Sequence, residues 1–200
     1  MKKNSVLLII DVQNDFCPGG NLAVAGGDEI VPLINQMAHD FDHVVLTQDW
    51  HPEGHSSFAS QHEGHAPFTQ IQMPYGPQTL WPDHCIIGST GAEFHKALDI
   101  PKAELIIRKG YRKAIDSYSA FFENDHKTPT GLGGYLKERG LTDVICVGLA
   151  FDYCVRYSAE DAKTLGFDVE VIERATRAID FGGTADATRK SFAECGIALR

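Results

Sequence analysis

The chain has 200 residues, 43% of them apolar, and a formal net charge of −9; this length buries a substantial core in one domain and demands no second. Its 18 basic residues form no run or stripe that could follow a phosphate backbone, so nucleic acid is excluded as an expected partner, and the dispersed acidic residues imply solubility and no more. After Met1–Ser5 the apolar run Val6–Ile10 is too short for a signal peptide or for the roughly 20 apolar residues of a membrane span, so a cytoplasmic protein without membrane attachment is expected.

Short β-rich apolar runs alternate with helix-like segments along the chain. A strand is predicted at Val6–Asp11, a helix at Asp28–His39 and a second strand at His43–Thr47. Between His51 and Glu93 lies a long stretch rich in His, Pro, Gly and Ser without periodicity. Loops this long in a compact domain usually serve as lids or binding loops. A strand at Glu104–Arg108, a helix at Leu132–Arg139 and the most apolar strand, Asp143–Leu149, follow. The helix predicted at Asp152–Leu165 is the best specified: Val155, Ala159 and Ala162 share a face, Asp152 can cap its start, and Gly166 can end it. A strand at Val169–Ile172, a helix at Thr184–Glu194 and a terminal strand at Ile197–Leu199 complete the series. The alternation predicts an α/β fold, a three-layer α/β/α sandwich with a central, mostly parallel sheet of about six strands. Residues 1–200 are read as a single domain, and the sequence does not decide between a monomer and a homo-oligomer.

In an open parallel sheet the ligand crevice lies beyond the carboxyl ends of the strands. The residues to inspect are therefore Asp11, Gln48–His51, Lys109 and Ala150–Cys154. Five cysteines at irregular spacing, with no close pair, predict a reducing compartment and no disulfide scaffold. Among them Cys154 falls in the first turn of its helix, where free N–H groups and the helix dipole favour a thiolate and could hold an oxyanion. Packing as a small apolar residue is the other reading for Cys154, and the better one for Cys146 inside a strand. Asp11 is either a strand-end turn residue or a desolvated base for the thiol, and Lys109 is either a solvated cation or a partner for both. Asp49 and His51, two apart in extended chain, point to one face. With His84 they make a two-His, one-carboxylate set that suits Zn, Fe or Mn, although nine histidines are spread through the chain and most of those in the loop, His55, His62 and His65, are readable as simply exposed. Phe16, Trp81 and Tyr118 stand near these positions and are readable as core or as a flat aromatic slot.

Taken together, the motifs Asp11-Val12-Gln13-Asn14-Asp15-Phe16, Asp49-Trp50-His51-Pro52, Trp81-Pro82-Asp83-His84-Cys85, Arg108-Lys109-Gly110 and Gly148-Leu149-Ala150-Phe151-Asp152-Tyr153-Cys154-Val155 resemble, in order and over nearly the whole chain, those of the nicotinamidase/pyrazinamidase group of isochorismatase-like cysteine hydrolases. The resemblance implies a catalytic triad of Asp11, Lys109 and Cys154, and one divalent metal ion, zinc first with iron or manganese as alternatives, on Asp49, His51 and His84. His55 matches a further histidine that ligates metal in some members. It also implies an oxyanion hole from the N–H groups of Ala150 and Cys154, with a cis peptide before Ala150, and Phe16, Trp81 and Tyr118 flanking a small-molecule substrate, nicotinamide. Many members carry a small or hydroxyl residue where Phe151 stands, so the approach to the nucleophile is expected to differ here. Isochorismatase itself lacks the cysteine, and a carbamoyl or ureido amidase would keep the triad without needing the metal residues. A non-catalytic metal-binding or thiol-sensing protein could use the same thiol.

Overall fold

The computed structural model describes residues 4–200. Strand β1 (Ser5–Ile10) is buried along its whole length. Leu7 and Ile9 join one apolar cluster while Val6, Leu8 and Ile10 join another, so the strand is covered on both faces. That is why its sequence is a continuous apolar run rather than an alternating one. It pairs in parallel with β2 (His43–Asp49) on one side and β6 (Asp143–Leu149) on the other. The full six-stranded sheet runs β5 (Leu105–Lys109), β2, β1, β6, β7 (Asp168–Arg177), β8 (Ala198–Leu199), and every pairing in it is parallel. Helix α1 (Val31–Ala38) buries Val31, Ile34 and Ala38 on the first face. Helices α2 (Leu132–Glu138), α3 (Arg156–Thr164) and α4 (Thr184–Cys195) cover the second with Leu136, Ala159, Ala162 and Phe192. The three-layer α/β/α arrangement expected from the alternation is the one observed.

The chain winds from β1 towards β2 and β5, then returns to the other side of β1 for β6, β7 and β8. The strand order therefore reverses between β1 and β6, where an open parallel sheet leaves a crevice at its carboxyl edge. Four local details depart from the sequence reading. The α-helical part of Asp28–His39 begins only at Val31, after a 3-10 turn at Gly27–Ile30; Pro32 lacks an N–H and belongs in a first turn, not an interior. Strand β7 continues to Arg177, past a register shift against β6 between Cys146 and Gly148. The loop after His51 contains an antiparallel hairpin, β3 (Gln70–Met73) and β4 (Gly76–Thr79); Gln70–Met73 alternates polar and apolar, but over only 4 residues, and β4 carries a Pro. Finally, Phe151–Val155 form a π-helical turn, and α3 starts at Arg156.

Candidate active site

Three strand ends bring the charged groups together. In the β2–β5 register Asp49 lies directly opposite Lys109, so the two side chains share a face and meet as a cross-strand pair. Asp11, immediately after β1, has φ +49. Its carboxylate Oδ1 accepts a hydrogen bond from the Thr47 hydroxyl at 2.6 Å, and Thr47 Oγ1 in turn accepts from the Asp11 N–H at 3.2 Å. Both Asp11 and Lys109 are wholly buried. The Lys109 ammonium lies 2.7 Å from Asp11 Oδ2 and 2.5 Å from Asp49 Oδ1, and donates to the Ser117 carbonyl at 3.1 Å and towards Cys154 Sγ at 3.4 Å. One buried cation thus touches the thiol and two carboxylates.

Cys154 lies in the π turn rather than the first turn of an α-helix, and the Asp152 side chain does not cap that turn. Asp152 instead accepts from the N–H groups of Ile179 and Asp180 and from the Thr184 hydroxyl, tying the turn to the segment after β7. Insertion of one residue into a helical turn is a common device at functional sites. The preceding Leu149–Ala150 peptide bond is cis. Phe151 does not reshape the approach to the thiol: its ring points into the second apolar layer, edge-on to Phe192 at 5.8 Å.

Electrostatics correct one expectation. Burial pushes the Cys154 thiol well above its ordinary pKa; Lys109 opposes this, while Asp11 and Asp49 add to it. The expectation that a helix start favours a thiolate is opposed here, because desolvation and the two carboxylates push the other way and outweigh the Lys109 ammonium. Burial also raises Asp11, with Lys109 opposing and Asp49 adding. For Asp49 burial is outweighed by Lys109, His51 and His84, which hold it well below the usual carboxylate range. Lys109 stays an ammonium: burial works against its charge, but Asp11 and Asp49 prevail and lift it well above the ordinary value.

The opposite oxygen of Asp49 faces two histidines. His51 Nε2 is 3.6 Å and His84 Nε2 is 3.7 Å from Asp49 Oδ2. His51 Nδ1 is 2.9 Å from the Gly110 carbonyl and His84 Nδ1 is 2.8 Å from the Pro82 carbonyl. A carbonyl only accepts, so each Nδ1 carries a proton; in the neutral ring each Nε2 would then offer its lone pair to an ion held between the histidines and Asp49, the outer-shell arrangement of metal-binding histidines. Ligand atoms of Asp49, His51 and His84 lie within 4.8 Å of one another, and the donor set fits a divalent metal. His55 is placed differently. Its Nε2 donates to the carbonyls of Arg112 and Ile115, its Nδ1 accepts from the Ser57 N–H, and its ring packs on His51 at 4.4 Å. It groups with His51 and Asp116, not with Asp49.

Ala150, Cys154, Asp49, His51 and His84 line the inner part of a narrow slot whose aromatic walls are Phe16, Trp81, Tyr118 and Tyr153. Trp81 meets Tyr153 edge-on at 4.8 Å and Tyr118 at 6.1 Å. Sequence reasoning missed Tyr153, Leu22, Asp116 and Ile179, which complete the lining. Tyr153 was signalled only by adjacency to Cys154; the others come from segments with no motif.

A reversal point in a parallel sheet that gathers a thiol, a carboxylate and an ammonium beside a three-ligand cation cradle places this chain among the small three-layer α/β hydrolases. The isochorismatase domain family matches residues 5–199, and the chain belongs to that family, in its nicotinamidase/pyrazinamidase group. A nicotinamidase from Acinetobacter baylyi is 55% identical over 97% of this chain and 91% of its own length. The structure of an Acinetobacter baumanii nicotinamidase/pyrazinamidase superposes with a TM-score of 0.98 at 54% identity, covering 100% of this chain and 96% of that one. A Pyrococcus horikoshii pyrazinamidase solved in complex with zinc superposes with a TM-score of 0.81 at 31% identity, covering 99% of each chain.

Proposed function

We propose that the chain, working as one domain, hydrolyses nicotinamide to nicotinate and ammonia, and pyrazinamide to pyrazinoate, through a thioester on Cys154. The observation that carries this is the position of Lys109 Nζ, in reach of Asp11, Asp49 and Cys154 at once, so that the nucleophile and the cation cradle share one charged centre. The high identity to nicotinamidases supports the substrate.

In this mechanism Asp11 takes the Cys154 proton: burial raises the proton affinity of Asp11, and Lys109 opposes the rise that burial imposes on the thiol. Lys109 stabilises the thiolate as it forms, and sulfur attacks the carboxamide carbon. The N–H groups of Ala150 and Cys154 hold the tetrahedral oxyanion. The C–N bond breaks, the nitrogen takes the proton from Asp11, and ammonia leaves a thioester. Asp11 then deprotonates a water that attacks the thioester carbon, and Cys154 leaves as the thiolate and regains its proton. Asp49, His51 and His84 would hold one divalent ion, zinc first and iron or manganese as alternatives, which when bound supplies a Lewis-acid contact to the ring nitrogen of the substrate. His55, with both ring nitrogens already hydrogen-bonded, is assigned to packing against His51. Phe16, Trp81, Tyr118 and Tyr153 clasp the ring faces and edge. No helix among the described residues is long and apolar enough to cross a membrane. The five unpaired cysteines fit a reducing cytoplasm, where the product would feed NAD recovery.

The test is ammonia and nicotinate release by the purified, zinc-supplied protein beside Cys154→Ala. Turnover by the parent with none by the variant is expected. No release from the parent on nicotinamide, with zinc, iron or manganese supplied in turn, overturns the reading.

A further inference from the structure

The slot is too small for the ring it would receive. Its free volume is about 20 Å³, whereas a cavity of roughly 150 Å³ is the size that takes up benzene. A wall has to move before a pyridine ring reaches Cys154, and most of the wall is tied down. Trp81 Nε1 donates to the Tyr118 hydroxyl at 3.2 Å, and Gln78 donates to the same oxygen at 2.9 Å. Phe16 and Trp81 are buried in the first apolar layer.

The segment after β7 is built differently. Ile179 lines the slot, and two residues further on Phe181 is 52% exposed. The base of this segment is held, since Asp152 accepts from the N–H groups of Ile179 at 3.0 Å and Asp180 at 2.8 Å. Its tip is not: among the described residues, Phe181 and Gly182 make no hydrogen bond. Gly182 and Gly183 have φ of +66 and +85, a region glycine enters freely and from which it can swing without steric cost. What the tip does make is a ring stack of Phe181 on Phe68, with centroids 5.2 Å apart and planes at 28°. Phe68 meets Trp81 edge-on at 5.7 Å. Phe68 therefore links Phe181, two residues after the slot-lining Ile179, to the slot-lining Trp81.

We propose that Phe181 is a specificity-determining residue of the amide hydrolysis. Its ring, stacked on Phe68, closes the mouth of the slot; its swing away admits an unsubstituted ring carboxamide and holds larger rings out. This rests on the reading of the slot as a nicotinamide site. The pair is suited to the task because an exposed aromatic stack opens far more readily than a buried, hydrogen-bonded wall.

Two variants test it, Phe181→Ala and Phe181→Tyr, with kcat/KM measured on nicotinamide and on nicotinamide methylated at ring carbons remote from the carboxamide. In Phe181→Ala the preference for the unmethylated ring should fall about tenfold, the discrimination that one methyl group carries in an apolar pocket. Phe181→Tyr keeps the stack and should keep the parent preference. A second readout needs no substrate: alkylation of Cys154, followed by peptide mass spectrometry, should accelerate more in Phe181→Ala for a bulky maleimide than for iodoacetamide. Thermal unfolding at the parent temperature shows that the exposed site tolerates the change. Should either the substrate preference or the alkylation ratio stay at its parent value in folded Phe181→Ala, the gate is overturned. If the parent does not hydrolyse nicotinamide, the functional reading fails, and the alkylation ratio alone still decides the gate.

Discussion

Lys109→Met removes the ammonium and keeps most of the side-chain volume. In the parent that cation lies 2.7 Å from Asp11 Oδ2 and 2.5 Å from Asp49 Oδ1, and all three side chains are buried. Taking one partner out of a buried charge group leaves the others uncompensated and costs about 3–5 kcal/mol. For a chain of this size that lowers the unfolding midpoint by roughly 6–20 °C. The cost depends on pH in a stated direction. Without the ammonium, burial and the mutual repulsion of Asp11 and Asp49 raise their folded pKa values above the unfolded ones. Stability from such groups is full below the unfolded pKa and is lost as pH rises through the raised folded value. The deficit of the variant should therefore be smallest near about pH 5 and grow towards about pH 8, opposite to the parent's Asp49, whose depressed carboxyl contributes stability above its unfolded pKa. Urea unfolding of chelator-treated parent and variant at both pH values measures this, with no bound ion to replace the missing charge. Equal stabilities, or a deficit larger in acid, would refute the account of Lys109 as the neutralising centre.

Gly110→Ala should cut zinc affinity about 10–100-fold, because a Cβ at Gly110, where φ is +67, would stand 2.4 Å from His51 Cε1 and 2.7 Å from its Nδ1; a competition titration showing parent affinity would contradict it. His51→Ala should lower the metal content of purified protein and raise KM for nicotinamide more than it lowers kcat, and an unchanged metal content would remove His51 from the ligand set. Glu123 lies in the wall of a different cavity, with its Oε2 unpaired, and burial, opposed by Arg112, pushes its pKa up to about 7. Its stabilising contribution is full below the unfolded carboxylate value and lost as pH rises through about 7, so Glu123→Gln should gain on the parent by about 1–3 kcal/mol between about pH 5 and pH 8. Denaturant titrations at the two pH values that run in parallel for parent and variant would count against it.

Much of the fold was legible because burial on both faces leaves a plain trace. Val6–Ile10 and Val144–Leu149 are apolar runs, the first ending at Asp11 and the second running on through Ala150 and Phe151 to Asp152, and a parallel sheet directs attention to those ends. That rule marked Asp11, Lys109 and Cys154 for inspection, and the period of extended chain put Asp49 and His51 on one face; the roles came from the resemblance to the cysteine hydrolases. The hairpin at Gln70–Thr79 was missed because its strands are only 4 residues each, too short for the alternation of Gln70–Met73 to stand out in a segment rich in Pro and Gly. Phe151 was misread because a strand-to-helix junction does not reveal which layer a side chain enters; the π turn sends it towards Phe192.

The sequence by itself determined which groups stand at the carboxyl edge of the sheet, since hydrophobic periodicity sets strand ends and residue chemistry sets what they carry. Only the tertiary structure decided how those groups share charge. The β2–β5 register pairs Asp49 with Lys109, and the reversal between β1 and β6 carries Asp11 and Cys154 to the same ammonium. Register and strand order arise from contacts between segments far apart in the chain, and they decide the protonation of the thiol, because desolvation and the charges of Asp11 and Asp49 act through space rather than along the sequence.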